Sequence, residues 1–502
     1  MRKEKREKSE RRIAMNNRII FGALHSLTQR RKERVRFVGL LAMLAVLQAM
    51  AVQPEIVADS IAIGQTGALA EITYTLTGEP AVVTINIETN TLADASGDWV
   101  SIGGKGTGVL GGEANKVVYT LDKPVKAYWN PVPVFGRKKF EPGAIRVTAT
   151  AWPTNTPPNY MVADLRHGKF VRYYASTNDL PGGFGNVEYK TSKLLMRKIS
   201  AKNVVWWMGS PMRIGDEGWD TVDHVPHKVM FTEDYYAGVY ELTIGQLKSA
   251  ELYDTENLAL TNISDFTQSE VADILPAERL GHSIIQLRGN VAKKTKGGFT
   301  FCESGHSVAA GSVIDVLRIR SGLIDLDLPT EAQWEYACRA GSNAALPCNL
   351  EYTEDNLKKI ACFSANQYSH NALGVVGPSP VGSFKPNDWG LYDTLGNVSE
   401  ICLDLPGYGT VADHPLAHYT GSFEEGWNNE SNPVVTVDPY GPKEYNYARS
   451  MYRGGNWQGD GANGTISAYY RSSSGVKPNY KVSKRDAKIG VRLFCPVIGN
   501  VR

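Results

Sequence analysis

The strongest constraint on this chain is a set of ordered blocks in its second half. One is Leu328-Pro329-Thr330-Glu331-Ala332-Gln333-Trp334-Glu335-Tyr336-Ala337-Cys338-Arg339-Ala340-Gly341. Thr330 can cap a helix there, Trp334 and Ala337 can turn one face to a core, and Gly341 can end the helix. The next is Asp388-Trp389-Gly390-Leu391-Tyr392-Asp393-Thr394-Leu395-Gly396-Asn397-Val398-Ser399-Glu400. The last is Arg453-Gly454-Gly455-Asn456-Trp457, followed by Arg471 and a closing strand at Gly490-Val491-Arg492-Leu493-Phe494. An earlier stretch leads into them. Val204-Val205-Trp206-Trp207 reads as a strand, Met208-Gly209-Ser210-Pro211 follows, and Glu241-Leu242-Thr243 precedes a helix capped by Thr243.

These blocks, in this order and spacing, resemble the formylglycine-generating enzyme (sulfatase-modifying factor) family over roughly residues 200–497. The resemblance implies an α+β, C-type-lectin-like domain with much irregular structure, assigned to residues 195–498. It also implies copper(I), held by two cysteines, and oxidation of a cysteine in a sulfatase to formylglycine. Copper(I) prefers sulfur, so that chemistry needs soft thiolates side by side. The family's cysteine positions fall here on Gly459 and Gly464, and no cysteine lies between Cys402 and Cys495. Copper is therefore not expected, no catalytic residue is assigned, and the domain reads as a pseudoenzyme.

The family's calcium site falls on Asp393, Gly396, Val398 and Glu400, where two carboxylates and two backbone carbonyls supply hard oxygen ligands. The alternative is a turn whose Asp393 and Glu400 make ordinary hydrogen bonds. A second calcium site would begin near Asn366-Gln367, but its downstream acidic residue is missing from Tyr368 to Val381. Iron-dependent relatives carry His-x-x-x-His-x-Glu. The nearest string, His414-Pro415-Leu416-Ala417-His418-Tyr419-Thr420, ends on Thr420 and contains a helix-breaking Pro415. His224 and His227 are expected to be surface or packing residues. Trp206, Trp207, Trp389 and Trp457 are expected in the core rather than stacking on sugars.

The first half has a different texture. Glu71–Leu76, Ala81–Ile87, Lys116–Leu121, Val125–Trp129 and Ala144–Trp152 alternate apolar and polar residues between turns, which predicts an all-β, sandwich-like domain over residues 56–185. Tyr160–Leu165 reads as a further strand of that domain, with the boundary at the turn formers Leu180-Pro181-Gly182-Gly183-Phe184-Gly185.

The first 36 residues hold thirteen Lys and Arg against four Glu, a charge of +9, so a chain of net charge +2 carries about −7 elsewhere. A mildly acidic body argues against a nucleic-acid partner. Val38–Leu47 then forms a short apolar run, and Ala49-Met50-Ala51 a small-x-small cleavage pattern. Residues 1–51 read as a signal peptide with a long basic lead, the run being short of the about 20 residues that span a bilayer. An uncleaved anchor is the alternative, and would be the chain's only membrane contact. Export to the envelope, periplasm or medium permits disulfides. Cys302, Cys338, Cys348, Cys362, Cys402 and Cys495 all lie in the second half at spacings that match no zinc pattern. One or two bridges, or buried thiols, are expected.

Two functions follow from these readings. One is an exported, non-catalytic protein that binds a peptide, glycan or cell-surface partner. The other is an oxidoreductase of the family acting on a protein cysteine through a non-standard centre.

Overall fold

The structure is a computed structural model that describes residues 53–90, 96–102, 109–141, 143–166, 170–209, 227–252, 266, 269–280, 293–295, 298–300, 308, 310–371, 374–404, 435–439, 450–461, 464–474 and 488–497. The leader assigned to residues 1–51 lies outside them.

The chain opens with β1 (Glu55–Ile56), β2 (Ala62–Gln65), β3 (Ala70–Thr77), β4 (Ala81–Asn90), β5 (Trp99–Ser101), β6 (Val109–Gly112), β7 (Lys116–Val118) and β8 (Pro124–Trp129). A one-turn helix α1 (Val132–Phe135) separates these from β9 (Ile145–Pro153). They form two antiparallel sheets, β1-β3-β8-β6 with β2 on the far part of β3, and β5-β4-β7 with β9 also on β4. Period-2 alternation is the cause. Along β3, Ala70, Ile72, Tyr74 and Leu76 are buried while the residues between them are only half-buried. They meet Ile85, Ile87, Ile145 and Val147 of the second sheet, and Trp129 closes the end against Phe135 and Phe140. The opposite face of β4 and β9 carries Val82, Thr84 and Asn86 beside Trp152, Thr150 and Thr148.

A second sheet system follows, in the order β11 (Phe170–Tyr174), β10 (Tyr160–Asp164), β12 (Lys193–Ile199), β15 (Tyr235–Gly238) and β25 (Phe494–Pro496), antiparallel throughout. Both of its faces are covered. Met161, Ala163, Leu194 and Met196 pack on one side, and Tyr160, Val162, Leu195 and Ile199 on the other. This corrects the expectation that Tyr160–Leu165 is a strand of the sandwich. Tyr160–Asp164 bonds to Lys193–Arg197 rather than to any sandwich strand, so sheet pairing divides the chain at Thr154–Asn159. The turn formers at 180–185 instead shape a loop inside the second unit, where Asn186 and Tyr189 both hydrogen-bond to Pro181 O. The two units share a core, since Val82, Val117 and Trp152 pack with Met161, Ala163 and Tyr173.

The remaining strands are short: β13 (Val205–Met208), β14 (His227–Met230), β16 (Lys293–Thr295), β17 (Gly298–Thr300), β18 (Tyr368–Ser369), β19 (Val376–Gly377), β20 (Ser399–Ile401), β21 (Val435–Val437), β22 (Ser450–Arg453), β23 (Arg471–Ser474) and β24 (Ile489–Gly490). Around them lie α2 (Ile244–Ser249), α3 (Val313–Ser321), α4 (Glu331–Arg339) and α5 (Glu354–Ile360). With few helices and many short strands the fold is α+β. Local chemistry starts each helix. Thr243 with Gln246 and Thr330 with Gln333 form reciprocal capping boxes, as their spacing predicts. The left-handed residue that stops α4 is Ala340, one before the expected glycine.

Candidate functional site

The small sheet β23-β22-β20-β24 brings the sequence blocks together. Glu400 on β20, Arg453 on β22 and Arg492 just after β24 all point into protein, none of them more than 1% exposed.

Arg492 ties this region to the main sheet. Its Nε lies 3.0 Å from each Glu400 carboxylate oxygen and its Nη2 2.7 Å from Oε1. The remaining donors reach Gly238 O, Val239 O and Tyr392 O. Trp334 Nε1 donates to Glu400 Oε2 at 2.6 Å. A second network surrounds Glu335, which accepts from Arg339 Nε at 2.8 Å, from Gly209 N at 2.8 Å and from Arg453 Nη2. Burial alone would raise the Glu335 carboxyl, yet Arg339 and Arg453 hold it below its ordinary value.

Sequence reasoning missed how acidic the neighbourhood of Glu400 is. Glu241, far away in sequence, accepts from Asn397 Nδ2 at 2.6 Å and Val398 N at 3.1 Å. Burial, reinforced by Asp393 and Glu400, raises its carboxyl well above the usual range. Asp393 accepts from Gly382 N at 2.6 Å through Oδ2, while Oδ1 has no hydrogen-bond partner. Burial pushes it up to about 6. Glu400 is also raised by burial, with Arg492 opposing. Three carboxylates and one guanidinium therefore share a dry region. The turn between them needs Gly396, whose φ is +74° and whose hypothetical β-carbon would run into Cys362 O.

Residues 277–495 match the family model described as the sulfatase-modifying factor enzyme 1-like domain. Over these residues, rather less than half of the chain, it is similar to the sulfatase-modifying factor family. It is 31% identical over 119 residues to the formylglycine-generating enzyme of Thermomonospora curvata, covering 23% of this chain and 34% of that one. With the formylglycine-generating enzyme of Mycobacterium tuberculosis it shares 42% identity over 80 residues, 14% of this chain and 25% of the other. It thus spans about a third or less of the length of these relatives. Among solved structures, Treponema denticola variable protein 1 superposes with a TM-score of 0.38 at 21% identity, covering 60% of this chain and 95% of its own.

The positions where the resemblance puts the copper-binding cysteines, 459 and 464, hold no sulfur. Gly454 and Gly455 turn the chain with φ of +86° and +74°. At Gly459 a β-carbon would lie 2.6 Å from Ile466 Cδ1 and 3.1 Å from Asn456 O. Ile466 is fully buried, so the space a cysteine side chain would need at 459 is packed. Gly464 adopts φ +71°, and its carbonyl accepts from Ser467 Oγ. Cys338, Cys348, Cys362, Cys402 and Cys495 are all free thiols. Burial raises each of them, Cys362 to about 11 and Cys338 and Cys495 to about 12. Unionised thiols of this kind do not fit copper(I). Cys302 lies outside the described residues.

Nor does the arrangement fit calcium at Asp393, Gly396, Val398 and Glu400. Asp393 keeps one unpartnered oxygen, but both Glu400 oxygens already accept from Arg492, so the second carboxylate is engaged by a guanidinium. Among the described residues no group of three or more His, Cys, Asp or Glu side chains converges as a cage. Asn366 and Gln367, at the second calcium position, are engaged with Phe363 N, Ala361 O and Trp457 O. Trp206 and Trp457 are buried, Trp206 stacked on Phe231 and Trp457 donating to Glu278 at 3.1 Å. Trp207 and Trp389 are half-buried, under Lys228 and at the edge of Tyr336. His227 is half-buried at the start of β14. His224, His414, His418 and Thr420 lie outside the described residues.

Proposed function

We propose that this is a formylglycine-generating-enzyme-like protein without the family's oxidative centre, exported and acting as a binding module for a peptide, glycan or cell-surface partner. The observation that supports this is the region after Gly454-Gly455. Gly459 and Gly464 stand where the resemblance puts the copper-binding cysteines, and Ile466 fills the space beside Gly459. Glycine has neither a ligand nor a nucleophile to offer. The basic run followed by an apolar stretch and Ala49-Met50-Ala51 supports export.

What the rest of the motif does supports the same reading. Apart from Arg453 Nε, which has no partner among the described residues, Trp334, Glu335, Glu400, Arg453 and Arg492 direct their donors and acceptors to one another and to backbone groups. Such residues hold the scaffold rigid for a surface to use. The test is incubation of the purified protein with copper(I), oxygen and a peptide bearing a sulfatase cysteine motif, with mass spectrometry for the cysteine-to-formylglycine change. No conversion is expected. Catalytic turnover would overturn the non-catalytic reading.

A further inference from the structure

A cleft of about 290 Å³ lies where the sandwich meets the second unit, a size at the small end of ligand pockets. One wall is the outer face of the β4–β9 pair, where Thr84 stands opposite Thr150 and Asn86 opposite Thr148. Trp152 continues that face, its Nε1 donating to Thr84 Oγ1 at 2.8 Å. The other wall is the end of β11, with Tyr173, Tyr174 and Ala175. Asn115 joins the two walls. Its Oδ1 accepts from Ile85 N and its carbonyl accepts from Tyr173 N.

The lining carries an unusual chemistry. Among the described residues no Lys or Arg contributes to it, and the one carboxylate they bring, Asp179, is occupied by Ser176 N and Oγ. An anionic ligand would find no counter-charge there. A wholly apolar ligand would desolvate a row of hydroxyls without replacing their water bonds. The Thr148 and Thr150 hydroxyls have no protein partner among the described residues, and each can both donate and accept. They sit on paired strands, as β-branched side chains of restricted χ1, so little freedom is lost when they engage a ligand. The Trp152 indole adds an apolar surface beside them.

We propose that this cleft binds a neutral, hydroxyl-rich ligand, the end of a saccharide chain. The proposal rests on the binding-module reading above and adds to it the site and the ligand class. Binding belongs to the junction of the two units, on rigid strands, and away from the glycines that replace the family's cysteines.

The experiment is titration calorimetry and saturation-transfer NMR on the full chain. The probes are the methyl glycosides and β-linked disaccharides of glucose, galactose, mannose and N-acetylglucosamine, with their sulfated and sialylated counterparts alongside. At least one neutral probe should bind, its anionic counterpart at least tenfold more weakly. The double variant Thr148→Val, Thr150→Val, at exposed positions that leave the core intact, should weaken binding about tenfold or more through two lost hydrogen bonds. Trp152→Phe, which shrinks the apolar indole surface to a single ring and releases Thr84 Oγ1, provides a second variant with an expected loss of the same sense. Unchanged affinity in both variants would overturn the cleft while leaving the binding-module reading intact. Binding by none of the probes, or preference for the anionic ones, would overturn the ligand class. Failure of the underlying reading shows separately, as turnover in the copper assay.

Discussion

Replacing Asp393 with asparagine should stabilise the protein at neutral pH. The carboxyl is 2% exposed, one of its oxygens has no partner, and burial lifts it from 3.8 to about 6. Keeping it ionised at pH 7 then costs the native state about 3 kcal/mol, at about 1.4 kcal/mol for each tenfold change in proton affinity. Asparagine retains an acceptor for Gly382 N and removes the charge facing Glu241 and Glu400. Its amide hydrogens are new buried donors, which takes back about 1 kcal/mol. A net gain of about 2 kcal/mol remains.

The sign follows from proton linkage. The folded state holds the Asp393 proton more tightly than the unfolded chain does, so the wild-type contribution is complete below pH 3.8 and is lost as pH rises through about 6. The variant's advantage should therefore be small at pH 4 and reach its full size at pH 7 to 8. Urea unfolding of both proteins across that range measures it, provided the two m-values agree. Taking the difference between them cancels carboxyls such as Glu188 and Glu335, which are held low and titrate in the opposite sense. A variant less stable than wild type at pH 7, or an advantage independent of pH, would refute the reasoning.

Glu335→Ala leaves Arg339 and Arg453 buried without their carboxylate, and should cost about 3–5 kcal/mol by chemical denaturation; a loss below about 1 kcal/mol would show the network to be dispensable. Thr330→Ala removes the cap of α4 and should cost about 1 kcal/mol, read as a lower urea midpoint at unchanged m-value. Because Glu400 is committed to Arg492, millimolar calcium or EDTA should leave the melting temperature unchanged; a calcium-dependent rise of several degrees would place the ion at Asp393 after all.

The parts of this fold that could be read from sequence are those whose cause is local. Thr330 and Thr243 find their partners three residues on, and one buried face makes Ala70, Ile72, Tyr74 and Leu76 alternate with polar neighbours. Tyr160–Asp164 could be recognised as a strand but not assigned to its sheet. Its partner, Lys193–Arg197, comes after an intervening loop, and both faces of the strand are buried, so periodicity cannot say which unit owns it. The candidate site divided in the same way. Asp393 and Glu400 lie within one motif and read as a pair, whereas Glu241 and Arg492 join them only through tertiary packing. The absence of sulfur at 459 and 464 is a property of the sequence, whereas the placing of the Ile466 side chain in the neighbouring space is a property of the fold. The cleft beside Trp152 left no trace in the sequence, since its walls come from strands on opposite sides of the unit boundary.

The pairing of β15 with β25 joins Tyr236 to Cys495, and Arg492 beside it reaches back to Gly238 and Val239. During synthesis at roughly 5–20 residues per second, β15 waits roughly 10–50 s for the strand that covers its edge. For that interval a strand whose two faces are both meant to be interior has one side open to any other extended chain. The nascent protein therefore keeps that edge unpaired by its native partner until residue 496 has been made.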